Sequence, residues 1–260
     1  MVVVIISIVA AILIIAAIIF LIKLHEGKTK LLECFTQGNV ICFGKKGKGK
    51  DLIFNKVINL RNRKCYANIP YNKDLCKVKS IKDFSVAPNT FTNIIEDNIQ
   101  VVKKTNEEET DFYISDAGSW LPSQYEGKLN NRYPSFPIYY ALSRHLTNSN
   151  IHVNTQYLGR VWSKIREQAD SYIMANGTIR IFNLLITKYR YYELYASAMS
   201  SMLPYKSSSL SPAEIRAAAK DHEAKHGIIK DYFIIQKVSN CNYDTRYFHK
   251  VMYGRRAPNT

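Results

Sequence analysis

The first part of the chain is a long apolar run, and it allows few structures. From Val2 to Ile22 the residues are valine, isoleucine, leucine, alanine and phenylalanine except for Ser7, and the first basic residue is Lys23. As a helix, a run of this length extends about 30 Å, the thickness of the hydrocarbon core of a bilayer. Inside that core, backbone polar groups need partners within their own segment, so the run predicts one membrane-spanning helix.

A cleaved signal peptide is the alternative interpretation of this run. Such a peptide has a basic segment before a shorter apolar stretch, whereas no Lys or Arg precedes Lys23. Lys23, Lys28 and Lys30 follow the run, and positive charge on that side places the rest of the chain in the cytoplasm. We therefore expect a transmembrane anchor over residues 1–23 and a connector over residues 24–37.

Charge and cysteine content narrow the class of protein. The chain has 260 residues, and 36 Lys and Arg against 21 Asp and Glu give a net charge of +15. This excess indicates an anionic partner, either nucleic acid or anionic lipid headgroups, with a generally basic soluble surface as the alternative. The cysteines have neither CxxC nor zinc-ligand spacing, which predicts reduced thiols in a cytosolic domain. They are Cys34, Cys42, Cys65, Cys76 and Cys241.

A glycine-rich loop follows the first short apolar segment after the connector. Residues 39–43 are typical of a buried strand, and residues 44–51 match the pattern GxxxxGK. Leu52 to Leu60 continues with helical spacing, so strand, loop and helix come in the order that a phosphate-binding P-loop requires. The predicted nucleotide-binding residues are Gly44, Lys45, Lys46, Gly47, Lys48, Gly49, Lys50 and Asp51.

Phosphate binding requires this arrangement for physical reasons. Glycines let backbone N–H groups surround the phosphates, the helix N-terminus adds its positive dipole end, and Lys50 reaches the β and γ phosphates of ATP. Asp51 departs from the pattern, because Ser or Thr normally supplies a hydroxyl to Mg²⁺ there; its carboxylate either ligates the ion or repels the phosphates. Since the loop sequence is low in complexity, a lysine-glycine hinge remains the alternative.

A second apolar strand ends in an acid. Asp111 to Asp116 has the form of a Walker B element, whose carboxylate holds Mg²⁺ or orients the attacking water. Ser135 to Leu146 has the pattern of a helix and residues 151–154 that of a strand, followed by Thr155 and Gln156. Strands that alternate with helices predict an α/β fold with a parallel sheet and helical crossovers.

Four motifs in sequence order carry a resemblance to a known family. They are Ile114 to Trp120, Ser143 to His145, Thr155-Gln156 and Val161 to Arg166, within a region from about Val40 to Tyr192. In this order they resemble the zonular occludens toxin (Zot)-like family, the assembly ATPases of filamentous phages, which belong to the FtsK/HerA class of DNA-pumping motors. The better-known members place the ATPase before the membrane helix, whereas here the helix comes first.

The resemblance implies a RecA-like P-loop NTPase with a mainly parallel sheet over residues 38–205, preceded by one transmembrane helix. It also implies an ATPase that uses ATP and Mg²⁺ and assembles as a homo-oligomeric ring. Its expected role is extrusion of single-stranded phage DNA through the host cell membrane, together with phage coat or assembly proteins. A plasmid or conjugation DNA translocase and a non-hydrolysing membrane scaffold remain the alternatives, and the residues give no support to a toxin acting on epithelial junctions.

The resemblance also assigns roles to individual residues. It implies that Asp116 polarises the attacking water and that Gln156 senses the γ-phosphate. Arg144, Arg160 or Arg166 is expected to serve the nucleotide of a neighbouring subunit. These roles require the residues to meet at the nucleotide, within one subunit or across a ring.

The acidic positions depart from the family pattern. Members usually have Asp-Glu at Walker B, and alignment on Trp120 places Ser115 at the first acid and Asp116 at the second. One carboxylate is thus missing there, and one is gained at Asp51. We therefore predict that Asp51, Ser115 and Asp116 form the Mg²⁺ site, with Asp51 and Ser115 exchanging their usual roles at the metal.

The remaining residues give weaker signals. Residues 178–185 and 188–195 are rich in Ile, Tyr and Phe and predict two strands with a break at Thr187. The tyrosines interleaved with Lys188 and Arg190 either stack single-stranded bases or belong to a buried strand.

Residues 206–260 form a separate predicted segment with a helix, a strand over residues 228–238 and a basic tail. The helix starts at a capping box and contains residues 222–226, which match the zinc-protease pattern HExxH. No glutamate follows the match as a third ligand, although His249 is a candidate, and the charged neighbours favour a solvated helix.

Overall fold

The computed structural model describes residues 2–72, 74–78, 111–132, 136–193 and 230–241, together with residues 195, 198 and 217. The predicted capping box, the HExxH match and the basic residues of the tail lie outside these residues. Their assignments stay predictions.

The apolar run forms the first part of one long helix. Helix α1 spans Val2–Gln37, 36 residues, and a helix of this length rises about 54 Å, more than the hydrocarbon core of a bilayer. Its apolar window has a mean hydropathy of 3.4, and none of that window is buried. In the described part of the chain this is one helix long and apolar enough to cross a membrane, and a signal sequence passes the same test.

The second part of α1 packs against the rest of the protein. Residues 24–37, assigned to a connector from the sequence, continue the helix without a break. Gly27, Leu31, Cys34 and Phe35 are buried, and their spacing places them on one face of the helix. The segment is therefore part of the folded domain as well as the link to the apolar run.

The described strands form one mixed sheet. They are β1 Val40–Phe43, β2 Cys65–Ala67, β3 Cys76–Val78, β4 Asp111–Ile114, β5 Ile151–Thr155, β6 Ser171–Ile181, β7 Leu184–Tyr192 and β8 Asp231–Lys237. Their order across the sheet is β3-β2-β4-β5-β1-β6-β7-β8. Neighbouring strands from β3 to β6 are parallel, and β7 is antiparallel to β6 and β8. The predicted α/β fold with a mainly parallel sheet is confirmed.

Helices cover both faces of this sheet. Besides α1 they are α2 Lys50–Arg61, α3 Ala117–Trp120, α4 Glu126–Arg132, α5 Phe136–Thr147 and α6 Ser163–Arg166. Successive side chains of β1 enter two different cores, because a strand turns its residues to alternate faces. Cys42 belongs to the same buried cluster as Phe54 of α2, and Phe43 belongs to the cluster that contains Tyr140 of α5.

Strands β6 and β7 form a hairpin whose turn lies at residues 182–183. The predicted break at Thr187 is wrong, because Thr187 lies inside β7 and pairs with Thr178 of β6. Threonine favours strands. The turn itself lies between Ile181 and Leu184, so the sequence around it has the apolar composition of a strand.

Three parallel strands bring the P-loop, the end of β4 and Thr155-Gln156 to one edge of the sheet. Strand β5 lies between β1, which leads into the P-loop, and β4, which ends before Ser115. Phe43 is level with Thr155, and Ile114 is level with Val153. The carboxyl ends of these strands therefore meet at one edge, where open α/β sheets bind ligands. We call it the carboxyl edge and the opposite side the amino edge.

Candidate nucleotide site

The P-loop leaves β1 in a backbone conformation that favours glycine. Gly44, Gly47 and Gly49 have φ angles of 143°, 77° and 99°, which residues with a side chain rarely adopt. A Cβ atom on Gly44 would lie 2.5 Å from the backbone oxygen of Ala175. The loop therefore packs directly on β6 and leads into α2 at Lys50, and the first N–H groups of a helix form a natural anion site.

Lys50 reaches back across the loop. Its Nζ donates to the carbonyl oxygen of Gly44 at 2.8 Å and to that of Lys45 at 3.1 Å. The residue is buried, with 9% of its surface exposed. These carbonyl partners carry no net charge, so the ammonium group retains its attraction for an anion. A buried cation at the start of a helix fits the phosphates of a nucleotide.

Strand β1, the glycine loop and α2 together have the geometry of a P-loop.

Asp51 is the centre of a hydrogen-bond network at the same edge. Its Oδ1 accepts from the Tyr71 hydroxyl at 2.8 Å, from the Ser115 hydroxyl at 2.7 Å and from Nδ2 of Asn154 at 2.8 Å. We call Asp51, Tyr71, Ser115, Asn154 and Asn68 the Asp51 network. The structure thus brings together Asp51 and Ser115, the two residues predicted to exchange roles.

Asn68 and Asn154 fix the strand ends around Ser115. Asn68 accepts from the Ser115 backbone N–H at 2.7 Å, and its Nδ2 donates to the Ser115 carbonyl at 2.8 Å. Oδ1 of Asn154 accepts from the Asp116 backbone N–H at 2.9 Å. The ends of β2, β4 and β5 are therefore tied to the first turn of α2 through polar side chains.

Asp116 occupies a special position next to this network. It has a φ angle of 55°, and a left-handed backbone at a residue other than glycine is uncommon and is concentrated at functional sites. Its Oδ2 accepts from the Ser119 hydroxyl at 2.8 Å. Carboxylate and hydroxyl oxygens are the donors that Mg²⁺ prefers, so Asp51, Ser115 and Asp116 fit the metal chemically. Their binding of it stays a prediction.

Gln156 and Arg160 also lie at the carboxyl edge. Gln156 directly follows Thr155, which is level with the last residue of β1. The guanidinium of Arg160 lies 5.1 Å from the centre of the Tyr157 ring. A Cβ atom on Gly118 would lie 3.1 Å from the Cβ of Arg160, so Arg160 borders α3 at the exposed rim of the site.

The other two candidate arginines lie elsewhere. Arg144 donates to the carbonyl oxygen of Gln37 at the amino edge, away from the P-loop of its own chain. Arg166 donates to the carbonyl oxygens of Gly159 and Val161 at 3.2 Å and 3.3 Å, where it holds the segment after β5. A role for either at a neighbour's nucleotide stays a prediction, and Arg160 has the most favourable place of the three.

The sequence interpretation missed Asn68, Tyr71 and Asn154. Asn68 directly follows β2 and Asn154 is the penultimate residue of β5, so a search for polar residues at strand ends would have found these two. Tyr71 lies in the segment between β2 and β3, and no local pattern marks it. Its contact with Asp51 depends on the tertiary fold.

Comparisons with known proteins gave distant structural likenesses. No family model matches the chain, and no curated protein matches it. The N-terminal domain of zonular occludens toxin from Neisseria meningitidis is similar with a TM-score of 0.45 and 11% identity, over 82% of this chain and 97% of that one. The genome-packaging NTPase B204 of Sulfolobus turreted icosahedral virus 2, in complex with AMP, has a TM-score of 0.42 and 17% identity, over 80% and 96%.

Proposed function

We propose that this chain is a membrane-anchored P-loop ATPase that drives DNA through the membrane. The observation that carries the proposal is the state of Lys50, a buried cation whose partners are neutral carbonyl groups of its own loop. Such a charge favours binding of an anion that can replace or join those partners. Because the group lies at the N-terminus of α2, a phosphate is the anion that fits.

The residues of the carboxyl edge then take separate tasks. Lys50 and the loop hold the β and γ phosphates, while Asp51, Ser115 and Asp116 supply oxygen ligands for Mg²⁺. When bound, Mg²⁺ neutralises charge that develops on the phosphates. Asp116 orients the attacking water, and Gln156, one residue beyond β5, contacts the γ-phosphate.

A ring of subunits completes the proposed site. Arg160 lies exposed at the rim, where its guanidinium can reach a nucleotide bound to the next copy, as arginine fingers do. Hydrolysis per subunit should then rise steeply with protein concentration. A strictly monomeric protein with full activity would contradict the ring.

The membrane and DNA parts of the proposal rest on other features. Helix α1 supplies a length and apolarity sufficient for a span, and the net charge of +15 suits a polyanion such as DNA. The order of motifs resembling the Zot-like family favours single-stranded phage DNA as the cargo, extruded with phage coat or assembly proteins through the host membrane. A plasmid or conjugation translocase is the alternative with the same chemistry.

The test is ATP hydrolysis by the full chain in lipid vesicles, with and without single-stranded DNA. Lys50→Ala should abolish turnover, whereas Lys128→Ala, which removes an exposed cation of α4, should keep it. Turnover that needs Lys50 and rises with DNA supports a DNA motor. Turnover that is equal in both variants would overturn the proposal.

One observation favours a second candidate, a scaffold that binds nucleotide without hydrolysing it. Oδ1 of Asp51 already accepts three hydrogen bonds, and Ser115 stands where the family has an acid. Both features weaken the site for catalysis more than for binding. Nucleotide binding that depends on Lys50, without turnover under any condition above, would establish this candidate.

A further inference from the structure

The turn between β6 and β7 carries an exposed apolar surface. Ile179, Ile181, Phe182 and Leu184 are 67%, 47%, 93% and 37% exposed; we call these four residues the tip patch. Outside α1, the other large apolar side chains that are exposed in the described ranges are Tyr125, Ile138 and Leu142, and none of the three is as exposed as Phe182 or Ile179. A concentrated apolar surface of this kind marks a site of interaction.

Folding alone does not explain a phenylalanine at this turn. Phe182 has a φ angle of 50°, a left-handed conformation in which glycine or asparagine is favoured and other residues cost about 1–2 kcal/mol. The two carbonyl groups of the turn accept hydrogen bonds: Nε of Arg180 donates to the Phe182 carbonyl at 3.1 Å, and the Val238 N–H donates to the Asn183 carbonyl at 2.9 Å. The Phe182 side chain itself points to solvent, so its benefit must come from outside the domain.

The hairpin projects far beyond the P-loop strand. Strand β6 pairs with β1 only from Ser171 to Met174, and its remaining residues run on to Ile181. At about 3.3 Å per residue this extension is roughly 20 Å long. The tip patch therefore lies well past the carboxyl edge, at the far end of the sheet.

Helix α1 runs toward the same end. Near its C-terminus, the Phe35 ring lies 4.6 Å from the ring of His152, which is three residues before the end of β5. Eight residues earlier, Gly27 packs on the backbone of Phe233 in β8. Phe233 pairs with Lys188 of β7, and Lys188 pairs with Gly177 of β6, a residue that lies beyond the end of β1. Followed backward from Phe35, the helix thus approaches the level of the tip patch.

The heights of the two elements can be compared. The distance from Gly177 to Ile181 along β6 is about 13 Å. Helix α1 rises by the same distance over the roughly nine residues that precede Gly27. The tip patch is therefore level with residues 18–23 of α1, where the apolar run ends at Lys23. The tip patch and the end of the apolar run of α1 therefore lie at the same height.

Basic side chains border the tip patch. Arg180 pairs with Leu185 and Lys237 pairs with Leu184, so a cation lies beside the turn on two strands. Lys237 is exposed. Apolar side chains bordered by Lys and Arg are the composition of segments that lie at the interface of anionic bilayers, with cations at the headgroups.

We propose that the tip patch inserts into the leaflet that α1 enters, as a second membrane contact of the domain. This rests on the membrane anchoring proposed above. Insertion of about 5–10 Å is typical of interfacial segments, and it agrees with the common height of the two elements. Two contacts prevent rotation of the domain about α1 and hold the carboxyl edge, with its nucleotide, toward the membrane.

The test uses the full chain in phosphatidylcholine and phosphatidylglycerol vesicles, with or without bromine atoms on the acyl chains. Phe182→Trp places a fluorophore in the tip patch. The matched control is Leu142→Trp, because Leu142 is 43% exposed on α5, whose Arg144 contacts the amino edge. Fluorescence of the unsubstituted chain is subtracted, since it has two native tryptophans.

The expected result is loss of the added emission of Phe182→Trp in brominated vesicles and unchanged added emission of Leu142→Trp, in protein that floats with the vesicles. Flotation with equal emission from both variants overturns the inference and leaves the anchoring intact. A blue-shifted emission of Phe182→Trp that bromine does not quench also overturns it, because protein, such as a second copy, then covers the tip patch. A chain that does not float overturns the anchoring and the inference with it.

Discussion

A network of largely buried polar side chains lies at each of the two edges of the sheet, and the two networks differ in whether their charged side chains pair with each other. At the amino edge, Arg61 and Asp111 form an ion pair of 2.7 Å with side chains 5% and 4% exposed. Arg61 also donates to the Phe35 carbonyl, and Asn150 donates to the Phe35 and Thr36 carbonyls at 3.3 Å. Carbonyl groups in the last turn of α1 thereby gain hydrogen-bond donors. The charges of Arg61 and Asp111 thus meet each other within the fold.

At the carboxyl edge the opposite charges are kept apart. Asp51 accepts from hydroxyl and amide groups, and Lys50 donates to carbonyl groups, although the two residues are adjacent in the chain. Neutral partners fix both side chains without neutralising them. A ligand that carries both anionic phosphates and a cation can then pair with Lys50 and with Asp51. The comparison separates a network that stabilises the fold from one that is arranged for a ligand.

The largest expected effect is on stability at the amino edge. Arg61→Met leaves the Asp111 carboxylate buried without its cation, which should lower the free energy of unfolding by about 3–5 kcal/mol. Burial already raises the pKa of Asp111 against the opposing effect of Arg61. The measurement is denaturant unfolding of the full chain in detergent.

The double variant Arg61→Met with Asp111→Leu is the control. Since it removes both charges, it should recover most of the lost stability. A loss below about 1 kcal/mol in Arg61→Met would make this pair equivalent to a surface ion pair and would remove the distinction between the two edges.

The second effect concerns Mg²⁺-dependent nucleotide binding. Asp51→Ser should weaken it by about 10–100-fold, as loss of a metal ligand or its support does, and Ser115→Asp alone should not improve it. The double variant restores the usual arrangement of a hydroxyl in the P-loop and an acid on β4, and should recover affinity. Titration of a fluorescent ATP analogue with and without Mg²⁺ measures each step.

Unchanged Mg²⁺-dependent binding in Asp51→Ser would show that Asp51 has no role at the metal. Its three hydrogen bonds would then form a structural network like that at the amino edge. If Asp51→Ser weakens binding as expected but the double variant does not recover affinity, the exchange of roles would be wrong, and Asp51 would still be a metal ligand.

The third effect is a pH dependence that comes from the amino edge. His152 is fully buried beside Phe35 and Tyr113, and burial, followed by the charge of Arg61, holds its pKa well below 6.5. The unfolded chain therefore binds a proton near pH 6.5 that the folded chain does not. Stability should fall as the pH drops below about 6.5, by up to about 1.4 kcal/mol per pH unit.

Unfolding measured between about pH 7.5 and pH 5.5 tests this dependence. His152→Gln should flatten the curve, whereas His145→Gln, at an exposed residue of α5, should leave it unchanged. Equal curves for both variants would assign the acid sensitivity to other groups.

Local sequence patterns predicted the framework of the carboxyl edge and little of the amino edge. The P-loop was found because its backbone demands glycine at fixed positions, and Asp116 was found because it ends an apolar strand, whereas Ser115 was singled out by alignment with the family pattern. The resemblance assigned Arg144 to the nucleotide of a neighbouring subunit, which stays a prediction, but it gave no sign of the contact of Arg144 with the Gln37 carbonyl. A C-terminal cap formed by a distant side chain has no local signal, because the fold alone brings the two segments together.

The second part of α1 shows the same limit. Its buried residues, Gly27 to Phe35, have helical spacing, but the segment followed a membrane run and included charged residues on its exposed face. Only contacts with the sheet and α2 reveal that it belongs to the domain: Tyr189 donates to the Gly27 carbonyl at 2.6 Å, and Phe35 meets Phe54 edge-on at 6.0 Å. Sequence composition marks the apolar half of such a helix more clearly than the docked half.

The smallest expected effect concerns the hydrogen bond from Tyr71 to Asp51. Tyr71→Phe removes one of its three donors and keeps the aromatic ring next to Phe54, so stability should fall by about 0.5–1.5 kcal/mol. If neutral donors serve to fix Asp51 for Mg²⁺, the affinity for the Mg²⁺-nucleotide should fall severalfold while nucleotide binding without Mg²⁺ stays constant. Tyr125→Phe, at an exposed tyrosine, should change neither quantity. Tighter Mg²⁺-nucleotide binding in Tyr71→Phe would mean that the network competes with the metal for Asp51, and the carboxyl edge would then resemble the amino edge in satisfying itself first.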